Sequence, residues 1–136
     1  MIGIDTNVLL RLFTEDNPRQ TSASTAALLA QGPGSVRVSV IVLTELVWTL
    51  GRYYKISKPD VIAIAESLLA REELVIEARG EALEALELYR SSKTDFGDCY
   101  IAVLNQAAGA VPTLTFDRNA AESLKLFQLV GEESKR

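Results

Sequence analysis

Short apolar runs alternate along this chain with longer stretches of helical period, and the boundaries between them carry capping residues, prolines and glycines. That alternation is the strongest constraint on the fold. Met1 to Ile4 reads as a short buried strand, and Asp5-Thr6-Asn7 supplies capping residues before the helical run Val8 to Phe13. Asn17-Pro18, a cap followed by proline at the first helical position, starts a helix to about Ala30, which Gln31-Gly32-Pro33-Gly34 ends. Ser35 to Ser39 is the next strand, followed by a long apolar helix from about Val40 to Tyr54. Ser57-Lys58-Pro59-Asp60 then caps a helix that carries Val61, Ile64, Ala65 and Leu68 on one face, and Leu74-Val75-Ile76 is a third strand. Glu81 to Tyr89 is amphipathic, with Ala82, Leu83, Leu86 and Tyr89 inward and Glu81, Glu84 and Glu87 forming a solvated face. Asp95 to Ala108 is a helix stopped by Gly109, Val111 to Phe116 a strand, Arg118 to Leu124 a short helix and Phe127 to Val130 an edge strand. Strand and helix in this order predict an α/β protein, a parallel sheet covered by helices.

At 136 residues and 48% hydrophobic content the chain can bury a core without disulfide staples, so a single domain over 1–130 is expected. The polar tail 131–136 is expected to fray. A lone Cys99 forbids an internal disulfide, and its apolar helical setting reads as a packed thiol rather than a nucleophile. The expected compartment is therefore cytoplasmic. Asp5 and Arg11 break the first apolar stretch, and no run approaches the ~20 apolar residues that span a bilayer, so secretion and membrane insertion are not expected. The formal charge of −4 would argue against a polyanionic partner if it were spread evenly. Much of it is concentrated.

Four carboxylates, Asp5, Glu45, Asp98 and Asp117, sit within or at the ends of apolar runs, and the chain has no histidine to share their work. Setting them aside leaves 18 − 4 = 14 acidic residues against 14 basic ones, a formally neutral remainder. Uncompensated carboxylates in a core cost several kcal/mol or neutralise themselves. Oxygen donors without nitrogen or sulfur are what Mg²⁺ or Mn²⁺ takes. Each carboxylate also has a plainer reading. Asp5 and Asp117 close strand-like runs and serve equally well as N-caps. Glu45, among Ile41, Val42, Leu46 and Trp48, has almost no polar face, so it is expected to be paired with an arginine, protonated or metal-bound rather than solvated. Asp95 and Asp98, three apart at a helix start, form a variant capping box, with Asp95 in a capping or supporting role and Asp98 facing the apolar run.

Ile4-Asp5-Thr6-Asn7-Val8-Leu9, Thr44-Glu45-Leu46, Asp95-Phe96-Gly97-Asp98-Cys99 and Thr115-Phe116-Asp117-Arg118 follow one another in an order and spacing that resembles the PIN domain nucleases, in particular the VapC toxins of bacterial and archaeal toxin-antitoxin pairs. Gly97 stands where the family's alanine is most expected. The resemblance covers nearly the whole chain and implies a three-layer α/β/α sandwich around a central parallel sheet. It implies an acidic quartet of Asp5, Glu45, Asp98 and Asp117 holding Mg²⁺ or Mn²⁺, with Thr6, Asn7, Asp95 and Thr115 in support. The implied reaction is hydrolysis of RNA phosphodiesters, in which the ion activates water, orients the phosphate and stabilises the leaving 3′-oxygen. The implied partners are RNA, a VapB-like antitoxin protein and, from the apolar surplus of Val40 to Tyr54 and Val61 to Leu69, a second copy of the chain. A metal-free mechanism built on imidazole is excluded. A phosphatase with an aspartyl nucleophile is a rival, but such enzymes place a second aspartate two residues after the first, where this chain has Asn7. An inactive PIN-like binding module is the non-enzymatic alternative, against which the intact quartet argues.

Overall fold

The structure, a computed structural model, describes residues 1–131; the expected tail lies, beyond Gly131, outside the described residues. It divides into two compact units, Met1–Arg79 and Gly80–Arg136.

The first unit contains strand β1 (Ile2–Gly3), helices α1 (Thr6–Leu10) and α2 (Pro18–Leu29), strand β2 (Val36–Val38), helices α3 (Val40–Arg52) and α4 (Lys58–Leu69), and strand β3 (Leu74–Ile76). The strands form a parallel sheet in the order β1-β2-β3, with Ile2 opposite Val36 and Val36 opposite Leu74. Pleating sends Val36 and Val38 to a fully buried face and Arg37 between them to solvent. Helices start where the strands run out. After β2, Ser39 stays extended and its hydroxyl accepts from the Val42 amide at 3.2 Å, capping α3. The next free amide, Val40 N, donates to Glu77 Oε1 at 2.9 Å, and the other Glu77 oxygen takes Arg37 at 2.8 Å. That bond, with the arginine beside it, holds the Glu77 carboxyl below its usual range. Leu43, Leu46, Val47 and Leu50 form the buried stripe of α3, at the period that one helical face requires. Each fully buried leucine contributes roughly 1.5–3 kcal/mol relative to leaving it in water.

The second unit runs from helix α5 (Arg79–Ser91), which starts at the boundary, through helix α6 (Phe96–Ala107), strand β4 (Thr113–Thr115) and helix α7 (Arg118–Ser123) to strand β5 (Phe127–Leu129). β4 and β5 pair in parallel, Thr113 opposite Phe127 and Thr115 opposite Leu129. The rings of Tyr89 and Phe96 meet edge to face and those of Phe96 and Tyr100 at a tilt, with centroids 6.0 Å and 5.2 Å apart. Cys99 is buried, its thiol donating to the Thr94 carbonyl at 3.7 Å, as a packed core thiol should. Gly109, at φ +79°, takes the left-handed conformation that ends α6.

Among the described residues every strand pairing is parallel, as expected, but the pairings fall in two sheets, one in each unit. Three smaller expectations need correcting. The first strand is exposed rather than buried, Met1, Ile2 and Gly3 all facing solvent. Leu83 is 42% exposed, and Ala85 takes a place inside, because the buried face of α5 passes through Ala82, Ala85 and Leu86. The apolar surplus expected on α4 is absent, since Val61, Ile62, Ala65, Leu68 and Leu69 are all buried. On α3 the surplus is real: Ile41 is 71% and Trp48 62% exposed.

Candidate functional site

In the first unit the residues of interest gather where β1 meets α1. Asp5 lies just beyond the strand in extended conformation, and its Oδ1 accepts the Val8 amide at 3.0 Å. It is thus the N-cap of α1, and it is exposed. Thr6 follows, donating its hydroxyl to Glu45 Oε1 at 2.9 Å across 39 residues of sequence. This bond ties the first motif to the second.

Glu45 itself does not enter the core. It is exposed on α3, in an outward row with Ile41, Trp48 and Arg52, while Leu46 and Val47 beside it in sequence point inward. The expectation that Glu45 is enclosed by its apolar neighbours, with almost no polar face, is therefore corrected. Apolar neighbours in sequence do not bury a helical residue whose own face is open. What Glu45 has instead is the Thr6 hydroxyl and a carboxylate that faces water.

In the second unit Asp95, Asp98 and Asp117 act on one another. Asp95 caps α6, its Oδ1 accepting the Asp98 amide at 2.9 Å, so the capping role expected of it is seen. Asp98 is half-buried, and its carboxyl lies above the usual aspartate range. Burial is the largest cause, followed by the negative charges of Asp95 and Asp117 and a side-chain hydrogen bond with Asp95. Asp117 is exposed and caps α7, with Oδ1 accepting Asn119 N at 2.9 Å and Ala120 N at 3.2 Å. Its own amide donates to Thr115 Oγ1 at 3.0 Å, so the hydroxyl expected to support the fourth motif fixes the backbone of Asp117.

Burial and like charge both work against the charged form of Asp98, and a cation placed beside it would oppose both effects. The donors offered by these motifs are carboxylate, hydroxyl and amide oxygens, the set a hard divalent ion takes. Among the described residues no group of three or more Asp, Glu, His or Cys side chains could by itself hold a metal ion. Mg²⁺ does not need such a cage, because it keeps several waters and takes few protein carboxylates.

A polar network around Asn7 escaped the sequence reading. Asn7 Nδ2 donates to Gln20 Oε1 at 3.5 Å, and the same oxygen accepts Arg11 Nε at 2.8 Å. Arg11 also pairs with Asp16 at 2.6 Å, and the Tyr54 hydroxyl donates to the other Asp16 oxygen at 2.8 Å. The Tyr54 bond, more than the arginine, holds the Asp16 carboxyl below its usual range. The signal available was the spacing of Asn7 and Arg11, four apart on one helical face. The partners lie on α2 (Gln20), in the turn before it (Asp16) and just beyond α3 (Tyr54), and nothing in the sequence pattern pairs them with Arg11.

Two comparisons bear on these motifs. The PIN domain family matches residues 2–123, a span that includes all of them from Asp5 to Asp117. A VapC ribonuclease of Aquifex aeolicus (strain VF5) is 28% identical over 116 residues, which cover 85% of this chain and 86% of that protein.

Proposed function

Since this chain belongs to the PIN domain family, we propose that it is a metal-dependent endoribonuclease and the toxin of a toxin-antitoxin pair. The observation that carries this reading is the match over residues 2–123, which contains each acidic motif in order. The relative named a VapC ribonuclease supports the choice of RNA and of the toxin role. The fold proposed is the three-layer α/β/α sandwich, a reading supported by the wholly parallel pairings and the helices between strands.

Asp5, Glu45, Asp98 and Asp117 are the proposed ligands of Mg²⁺ or Mn²⁺, which when bound supplies Lewis acidity toward water and the scissile phosphate. The chain's own residues set the conditions for that chemistry. Thr6 holds one oxygen of Glu45, and Thr115 fixes the peptide that presents Asp117. Asp98 contributes a carboxylate that burial and neighbouring negative charge hold above the usual aspartate range, and a cation beside it would offset that. Asn7 offers an amide for water or phosphate. The partner proposed besides RNA is a VapB-like antitoxin with a disordered tail, in which a basic residue flanked by apolar anchors would compete with metal for the quartet. A homodimer through the exposed Ile41 and Trp48 of α3 is part of the same proposal, as is a cytoplasmic location.

The test is cleavage of structured and single-stranded RNA by the purified chain with Mg²⁺, Mn²⁺ or chelator. Metal-dependent cleavage leaving 5′-phosphate and 3′-hydroxyl ends, lost in Asp98→Asn, is expected. Metal binding by calorimetry without cleavage of any RNA would refute the nuclease reading. Absence of both would leave a PIN-like binding module.

A further inference from the structure

Gln20 stands at the third position of α2, three residues after the Asn17 cap whose side chain accepts the Gln20 amide at 3.1 Å. In a capping box the side chain at that position reaches back to the cap's own backbone N–H. Here it reaches to another helix. Gln20 Oε1 takes Arg11 Nε at 2.8 Å and Asn7 Nδ2 at 3.5 Å, the latter at the long limit of a hydrogen bond.

We propose that Gln20, fixed by Arg11, is a positioning residue that sets the rotation of the Asn7 side-chain amide. Deepening the nuclease reading above, this inference rests on Asn7 belonging to the site.

The argument is one of donors and acceptors. A guanidinium only donates, so the group that Gln20 turns to Arg11 must be its oxygen. That same oxygen faces Asn7, which can therefore offer it only the NH₂ end of its amide. Asn7 Oδ1 is then committed to the opposite branch, where it is an acceptor for a water or a ligand N–H. Gln20 is the partner that the structure gives the Asn7 side-chain amide, so it is Gln20 that decides which end of that amide faces α2. Arg11 is itself held. Its side chain is 15% exposed, and it donates to Asp16 at 2.6 Å and to the Tyr54 hydroxyl at 3.3 Å, while Tyr54 closes the ring by donating to Asp16 at 2.8 Å. Only the forked geometry of arginine serves Gln20 through Nε and Asp16 through Nη1 at once. The order thus runs from Asp16 and Tyr54 through Arg11 and Gln20 to Asn7.

The contact and its consequence are tested separately. In ¹H–¹⁵N spectra of the full chain, Gln20→Ala should shift the Asn7 side-chain amide resonances, whereas Gln20→Glu, which keeps an acceptor oxygen, should leave them close to wild type. Unmoved resonances in Gln20→Ala overturn the proposal whether or not the chain cleaves RNA. With wild-type cleavage in Mn²⁺ as reference, Gln20→Ala should lower kcat about as much as Asn7→Ala does, with little change in KM or thermal stability. Gln20→Glu should restore most of the loss. The double variant should be no worse than Asn7→Ala alone, because Gln20 acts through Asn7. Wild-type kcat in Gln20→Ala, or independent, multiplying losses in the double variant, would overturn it. If the wild type cleaves no RNA, the nuclease reading fails, and the resonance shifts still decide whether Gln20 orients Asn7.

Discussion

Asp5 and Asp117 each do a structural job that would be done by any good N-cap, and substitution can separate that job from a role in holding metal. Asp5 accepts one amide of α1, a helix of five residues, and Asp117 accepts two amides of α7, a helix of six. Both helices fall below the roughly 12–15 residues at which an isolated helix becomes marginal in water, so their first-turn amides depend on the cap. Replacing an N-cap aspartate by alanine costs about 1 kcal/mol, within a range of about 0.5–2, and asparagine caps as well as aspartate does. At roughly 4 °C per kcal/mol for a chain of this size, Asp5→Ala should lower Tm by about 4 °C and Asp117→Ala, with two bonds at stake, by more. Asp5→Asn and Asp117→Asn should unfold within about a degree of wild type on the same scale. The nuclease reading requires the opposite ranking for activity: both asparagine variants should lose metal-dependent RNA cleavage as completely as the alanine variants. Thermal unfolding by circular dichroism and single-turnover cleavage of one RNA, measured on the same preparations, give the two rankings. Wild-type cleavage by both asparagine variants, with loss only in the destabilised alanine pair, would show that these aspartates are caps and nothing more.

Asp98→Asn should make the metal-free protein more stable at neutral pH. The folded-state carboxyl is raised above its unfolded value, so the folded form holds its proton longer and stability falls as pH rises through the raised value. The advantage of Asp98→Asn should accordingly vanish below the unfolded pKa, and urea unfolding of both proteins at acid and neutral pH checks it; a gap that widens as pH falls would refute the assignment. Adding Mg²⁺ or Mn²⁺ should raise the Tm of wild type more than that of Asp98→Asn, and chelator should reverse the gain. Thr6→Val removes the donor to Glu45 Oε1, an exposed bond, so stability should change by no more than about 0.5 kcal/mol. It should nevertheless raise the Mn²⁺ concentration needed for half-maximal cleavage, and an unchanged metal requirement would show that the Thr6–Glu45 bond has no part in the site.

Element type and order were legible in the chain because their signals are local. Asn17-Pro18, Ser57 and Asp95 each cap the helix that follows, and each was marked by residue type and by the period of the apolar residues after it. The motifs around Asp5, Glu45, Asp98 and Asp117 were legible for the same reason, as short strings of fixed order. Facing and partnership were not. Glu45 looked buried because its sequence neighbours are apolar, yet a helix distributes neighbours around its axis, and only packing decided that Leu43, Leu46, Val47 and Leu50 went in while Ile41, Glu45 and Trp48 stayed out. The phase of α5, which left Leu83 outside, was decided in the same way. The Thr6–Glu45 bond and the ring of Gln20, Arg11, Asp16 and Tyr54 join residues up to 43 positions apart. No local pattern encodes such pairs, since hydrogen bonds between separate elements exist only once packing has set the distances. The sequence by itself determined the order of the acidic motifs and the caps at Asn17, Ser57 and Asp95, because both are local; the tertiary structure decided that burial raises the Asp98 carboxyl, and that Thr6 and Thr115 hold Glu45 and the backbone of Asp117, because these depend on packing.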